Sequence, residues 1–241
     1  MIVHSEPLFT IIFGDKRSAF TPRNFTNVQN GVLLLEQKPF ICVKKMGIES
    51  LIFLHQTHST QGFPINNWQQ IENLKPFSYE GDYLLTSQQN IGLAIAAGDC
   101  LPIILYDKKN HAVALIHAGW RGSVAQIAPL VFQRMHSLFG STGCDMRVFF
   151  GPSAKRCCYE VGPELIKQVD NFWFKDQVIF SIGNSTLFDL PLFNRLLLEQ
   201  CGIPSSAFNE AYNSCTIHTN SFCSYRQNKT AQRQATIVFL R

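Results

Sequence analysis

Short apolar segments of strand length, separated by polar turn formers, recur along this chain and limit its fold more than any other feature. Val32–Leu35, Leu51–Leu54, Tyr83–Thr86, Leu93–Ala97, Pro102–Tyr106, Ala112–Ile116, Arg147–Phe150, Val178–Phe180 and Thr236–Leu240 are aliphatic, β-branched or aromatic, and are predicted as strands. The clearest helix follows Gly122: Val124, Ile127, Ala128, Val131, Phe132, Met135 and Phe139 share one stripe at helical spacing. Ser123 and Gln126 are expected to form a capping box at its start, Pro129 to kink it and Gly140 to end it. Glu160–Phe174 and Leu190–Cys201 are further predicted helices, the second stopped by Gly202 and Pro204. Gln61–Glu80, rich in Asn, Gln and Pro, reads as a long surface loop. Helices and strands mix without a regular βαβ rhythm. The expected class is therefore α+β, a mixed α/β layered single domain over residues 1–241 with a mixed sheet.

At 241 residues, 46% hydrophobic and 16% charged, the chain can bury a large core. Its formal charge of +4 comes from scattered basic residues, which suits anionic small molecules and argues against a nucleic-acid face. The first residues lack the pattern of a secretory leader, and no run approaches the roughly 18 apolar residues of a membrane span. A cytoplasmic protein without membrane partners is expected, as a monomer or homodimer. In that reducing setting the eight cysteines are read as thiols. Cys42, Cys144 and Cys201 are expected to be ordinary buried residues.

Three fragments carry chemistry where apolar runs meet polar residues. His55-Gln-Thr-His58 follows Leu51–Leu54; one imidazole is expected as a ligand and the other as its support, although two surface histidines would look the same. Gly98-Asp99-Cys100-Leu-Pro102 offers a thiolate ligand, a nucleophile or an inert buried thiol. His117-Ala-Gly-Trp-Arg121-Gly122 delivers a histidine into a turn that opens a helix. The helix N-terminus and Arg121 there favour an anion such as phosphate, unless Arg121 pairs with an acid and Trp120 simply packs. One thiolate with two imidazoles suits zinc, and three protein ligands leave a fourth position for water, the arrangement of a catalytic site. Asp82 and Asp99 lie near these segment ends and could orient an imidazole, act as base or cap a turn.

These fragments, with Gly81-Asp82-Tyr-Leu-Leu-Thr86, Gly151-Pro152, Cys157-Cys158-Tyr159-Glu160-Val161-Gly162, Phe188-Asp189-Leu190-Pro191 and Phe222-Cys-Ser-Tyr-Arg226 with Arg233, resemble in order the YfiH/YlmD/FAMIN family of polyphenol oxidase or laccase-domain proteins. The likeness spans about residues 50 to 241. It implies a compact mixed α/β fold, also similar to a bacterial toxin catalytic domain. It further implies a zinc-dependent purine nucleoside enzyme: phosphorolysis of adenosine, inosine, guanosine and methylthioadenosine, and deamination of adenosine. On the same basis His58, Cys100 and His117 are the implied metal ligands and catalytic residues, joined by Arg121. His55, Arg121 and Arg226 are the candidates for contacts to base and phosphate, while Ser224 and Tyr225 could be structural and His218 is a spare candidate. Three departures stand out: Ile12 falls where the family carries an arginine near its start, Ala231-Gln232-Arg233 replaces the usual Thr-Gly-Arg, and the gap from His58 to Cys100 is longer than usual. If the missing arginine serves phosphate, phosphorolysis is the activity at risk. The rival readings are a copper oxidase of phenols, a hydrolase editing peptidoglycan precursors, and a non-enzymatic module stabilised by metal.

Overall fold

The computed structural model describes residues 1–72 and 74–241. Its strands, in chain order, are β1 (Ile2–Ser5), β2 (Phe9–Phe13), β3 (Ser50–Phe53), β4 (Gly62–Ile65), β5 (Tyr83–Thr86), β6 (Ile91–Ala97), β7 (Leu101–Asp107), β8 (Ala112–Ala118), β9 (Met146–Phe150), β10 (Ile179–Ile182), β11 (Ser185–Phe188), β12 (Phe208–Asn209) and β13 (Gln234–Leu240). The helices are α1 (Gly31–Leu34), α2 (Ile41–Lys44), α3 (Trp68–Glu72), α4 (Trp120–Val124), α5 (Ile127–Phe139), α6 (Pro163–Val169), α7 (Lys175–Val178), α8 (Leu190–Gln200) and α9 (Tyr225–Asn228). Five strands form one sheet in the order β1-β2-β13-β6-β3, and six form another in the order β12-β9-β7-β8-β5-β4, with β10-β11 as a separate hairpin. Both large sheets are mixed: β3 runs parallel to β6, β4 to β5 and β12 to β9, while the other pairings are antiparallel.

The alternation of side chains along each strand divides the core into layers. Ile104 and Tyr106 of β7 meet Phe9, Ile11, Leu93 and Val238 in the space between the two sheets. Ile103 and Leu105 point the other way, into a cluster built with Ile127, Val131 and Met135 of α5 and Phe193 and Leu197 of α8. Ile12, Phe53, Ala94 and Phe239 turn outward from the first sheet onto Leu34, Phe40 and Val43. Strands buried on both faces read as unbroken apolar runs, which is why β6, β7, β8 and β13 were legible from sequence.

Several expectations change. Val32–Leu35 is not a strand, because the Asn30 side chain accepts from Leu33 N–H at 3.0 Å and caps the short α1. Gln61–Glu80 is not one loop; it contains β4 and α3, and Asn73 within it lies outside the described residues. The helix after Gly122 is two helices, broken where Gln126 adopts φ 61°. The capping box fails for that reason and because the Ser123 hydroxyl, fully buried, instead accepts from Asn194 at 2.9 Å. Pro129 sits in the first turn of α5, where no backbone donor is lost and no kink is needed. Gly140 does close α5, in the left-handed conformation that glycine adopts without strain. The helix predicted over Glu160–Phe174 shortens to α6, begun by Pro163 after an extended Gly162. Val178 ends α7, so β10 starts one residue later than predicted. Cys42 and Cys144 are exposed and Cys201 half-buried, since each sits on a helix surface, a turn or a helix end. No helix among the described residues is long and apolar enough to cross a membrane.

Candidate active site

Asp82 organises the centre of the site. It lies immediately before β5 and is fully buried, an expensive place for a carboxylate unless its oxygens are filled with donors. They are. The backbone N–H groups of Thr57, His58 and Ser59 donate to it at 3.2, 3.0 and 2.6 Å, and the Ser59 hydroxyl donates at 2.8 Å. The Nδ1 of His117, at the end of β8, lies 2.8 Å from the same carboxylate. One side chain therefore shapes the loop carrying one histidine and fixes the ring of the other, leaving the Nε2 of His117 free to face the site. His58 has φ 61° and Asp99 has φ 92°, left-handed conformations that ordinary residues adopt only when the surroundings hold them.

The β7–β8 hairpin supplies the rest. Cys100 precedes β7 and His117 pairs with Pro102 across the ladder, so the thiol and the imidazole emerge side by side. His58, Cys100 and His117 offer ligand atoms that all lie within 4.8 Å of one another, with His58 Nε2 3.7 Å from Cys100 Sγ. Zinc bonds of about 2.0–2.3 Å in tetrahedral array place such donors roughly 3.5–3.8 Å apart, so this set fits a single zinc-sized ion. His58 is exposed, Cys100 half-buried and His117 buried, which leaves one side open to the cavity.

Charge is arranged accordingly. Burial would push the Cys100 thiol up, but the neighbouring His117 charge and hydrogen bonds from His117 and His58 outweigh it and bring the thiol down. Burial likewise opposes protonation of His117, yet the Cys100 thiolate and Asp82 raise it. The thiol and the imidazole thus each favour the other's charged form. Against burial, the His117 ring and the Ser59 donors lower the Asp82 carboxyl to about 2.

Gly119 closes the turn between β8 and α4, and a Cβ there would stand 2.8 Å from His58 Cδ2 and 3.0 Å from Cys100 Sγ. Its φ of −72° suits any residue, so Gly119→Ala is expected to leave the fold intact while forcing the donors apart. Competition with a chelator should show metal retention falling by about tenfold or more, the size of effect seen when the supports of a metal centre are disturbed. Unchanged retention would mean that the three side chains tolerate a looser geometry.

The three donors open into a cavity of about 920 Å³. His55, Arg121 and Arg226, singled out from sequence, all line it, whereas His218 does not. Arg121 stacks on Trp120 at 4.2 Å and approaches Glu164 at 3.3 Å, so it pairs with an acid, the alternative to anion binding that the sequence left open. Arg226 lies over Tyr159 at 5.0 Å and donates to the Glu160 carbonyl at 2.8 Å, while its backbone N–H and the Thr216 hydroxyl both donate to Asp99 at 2.7 Å. Asp99 thus ties loops together and orients no imidazole. Sequence reasoning missed Arg23 and Phe77 and gave no role to Arg233, all of which line the cavity. Arg23, Arg226 and Arg233 make no ion pair with a carboxylate among the described residues. Burial pushes the Tyr159 hydroxyl up, so it remains a neutral donor at the wall.

The architecture is that of known structures. Bacillus licheniformis hypothetical protein YfiH superposes with a TM-score of 0.82 at 24% identity, covering 97% of this chain and 93% of that one. YlmD from Geobacillus stearothermophilus gives 0.73 at 19%, covering 97% and 91%. The chain is thus a mixed α/β protein of the YfiH and YlmD type. It belongs to the multi-copper polyphenol oxidoreductase laccase family, which its residues 34–241 match, so the resemblance seen in its motifs holds. It is 30% identical over 204 residues to a purine nucleoside phosphorylase of Clostridium acetobutylicum, covering 83% of this chain and 79% of that protein. It is also 29% identical over 222 residues to an adenosine deaminase, RL5, from an unknown prokaryotic organism, covering 88% and 84%.

Proposed function

We propose that this chain is a zinc-dependent purine nucleoside enzyme that cleaves nucleosides with phosphate and deaminates adenosine, with His58, Cys100 and His117 as its metal ligands. The observation that carries the reading is the convergence of one thiol and two imidazoles, braced by a buried carboxylate, at the wall of an arginine-rich cavity. The names of the relatives from Clostridium acetobutylicum and of RL5 support the two activities. Zinc held by His58, Cys100 and His117 would supply Lewis-acid and water-activating chemistry.

The protein's own groups do the remaining work. Trp120, Tyr159 and Phe77 offer apolar faces for a purine, and the Tyr159 hydroxyl can donate to charge developing on the departing base. Arg121, Arg226, Arg23 and Arg233 hold phosphate where it can attack the ribose C1′. Ile12, which stands where the family carries arginine, is buried in the apolar core at 1% exposure and cannot serve phosphate. Arg23, on the neighbouring segment, supplies a cation to the cavity instead. Copper chemistry of the laccase kind needs several coppers gathered at one centre, and His58, Cys100 and His117 make a place for one ion at the cavity.

Incubating purified protein with adenosine, with and without phosphate, and separating the products tests this. Free adenine that appears only with phosphate is expected from phosphorolysis, and inosine with ammonia from deamination. Arg23→Ala is expected to raise the phosphate KM by about tenfold, one charge-assisted hydrogen bond's worth, while leaving deamination unchanged. Turnover of neither kind by zinc-loaded protein would reject the nucleoside reading.

A further inference from the structure

Away from the cavity donors, a second group of side chains converges. The sulfurs of Cys157, Cys158 and Cys215 all lie within 4.8 Å of one another, with Cys157 and Cys158 3.5 Å apart. Cys157 is exposed, Cys158 half-buried and Cys215 buried, so the trio opens to solvent on one side.

The two segments that meet here are already held in register. Ser153 N–H donates to the Ser214 carbonyl at 3.1 Å, and Thr216 N–H returns to the Ser153 carbonyl at 2.9 Å. Lys155 Nζ donates to the Asn213 carbonyl at 2.9 Å, and the N–H groups of Cys158 and Tyr159 both close onto the Lys155 carbonyl at 2.9 Å. The entropy of gathering three ligands is therefore met by the fold. Tetrahedral zinc–sulfur bonds of about 2.3 Å set sulfurs about 3.8 Å apart, a spacing that small side-chain shifts bring the trio to. Packing does not explain an exposed Cys157 beside two other thiols.

We propose that Cys157, Cys158 and Cys215 form a second metal site, for a thiophilic closed-shell cation, zinc or cuprous copper. Three thiolates select such ions. Zinc takes water as its fourth ligand, whereas cuprous copper is satisfied by the sulfurs. Binding forms metal–sulfur bonds and releases the thiol protons to solvent. The ion clamps two loops whose next residues reach the cavity: Tyr159 lines it, and Thr216 holds Asp99 beside Cys100. This site stands independently of the nucleoside reading, because it shares no ligand with His58, Cys100 and His117.

The test is a metal titration of full-length protein stripped with chelator under reductant. Zinc is added against a chromophoric competitor, and cuprous copper anaerobically in a parallel series. Wild type is expected to bind about two zinc ions per chain, or about one zinc with about one cuprous ion held at the cysteines. The C157S/C158S double variant loses the second ion and keeps the first; both positions are at least partly open to solvent, so the fold survives. C215S should do the same, with its folding checked by circular dichroism. Cys100→Ala should lose the other ion and keep this one, which separates the failure of one site from that of the other. A double variant that binds as much zinc and as much cuprous copper as wild type overturns the proposal, as does a Cys–Cys disulfide within the trio of the reduced, metal-treated protein.

Discussion

Replacing Cys100 with alanine is expected to remove the zinc at the cavity and to slow nucleoside turnover about a thousandfold, while the far-ultraviolet spectrum stays unchanged. A bound cation contributes several kcal/mol of charge stabilisation to such reactions, and about 4 kcal/mol corresponds to that factor. Cys100 is half-buried and precedes β7, so its truncation leaves no large void and interrupts no ladder. Metal content by mass spectrometry and ammonia or free-base release, on the same preparation, provide the check. Loss of stability with no turnover in wild type either would favour the metal-stabilised module. Full turnover in the variant would remove the thiolate from the mechanism.

Asp82→Asn should be nearly as damaging without touching the ion. The carboxylate accepts from three backbone amides, two hydroxyls and one imidazole, and an amide offers a single acceptor oxygen and adds two donors in a space already full of them. Metal affinity is expected to fall about 10–100-fold as the His58 loop relaxes and the His117 ring loses its anchor. Acid stability gives a second readout. The folded-state carboxyl sits at about 2 against an ordinary 3.8, so its stabilisation is fully present above about pH 4 and is lost as pH falls toward about 2. That difference amounts to about 2 kcal/mol. Urea unfolding of metal-free protein across this window should show wild type weakening and the variant nearly flat. Parallel slopes for the two proteins would assign the acid sensitivity to other carboxylates.

Much of this arrangement was legible in the sequence, and the exceptions have physical causes. β5, β6, β7, β8, β9 and β13 were visible because strands covered on both faces leave continuous apolar runs. The donor trio was visible because each member stands where such a run gives way to polar residues. α1 escaped notice because an Asn30 cap, acting through one hydrogen bond, overrode an apolar tetrapeptide. The broken α4–α5 helix escaped because Ser123 found a tertiary partner in Asn194 in place of a local one. Arg23 and Arg233 were hidden for another reason: the cavity wall draws on segments distant in sequence, and nothing near either arginine signals what it faces. The same holds for the sulfur trio, in which the Ser153–Cys215 bridge helps bring Cys215 to the adjacent Cys157 and Cys158.

The position of β13 between β2 and β6 sets the order in which the molecule can be made. Its residues pair with Phe9–Phe13 on one side and with Leu93–Ala97 on the other, so the five-stranded sheet has a vacant slot until synthesis has passed Leu240. The β7–β8 hairpin with β5 and the Asp82 loop needs none of that late segment, and the donor trio can assemble while the ribosome is still working. The cavity wall cannot, because Arg233 arrives with β13. On the proposed reading a nascent chain would be able to capture its ion before it can grip a substrate, and the docking of β13 would complete the cavity wall.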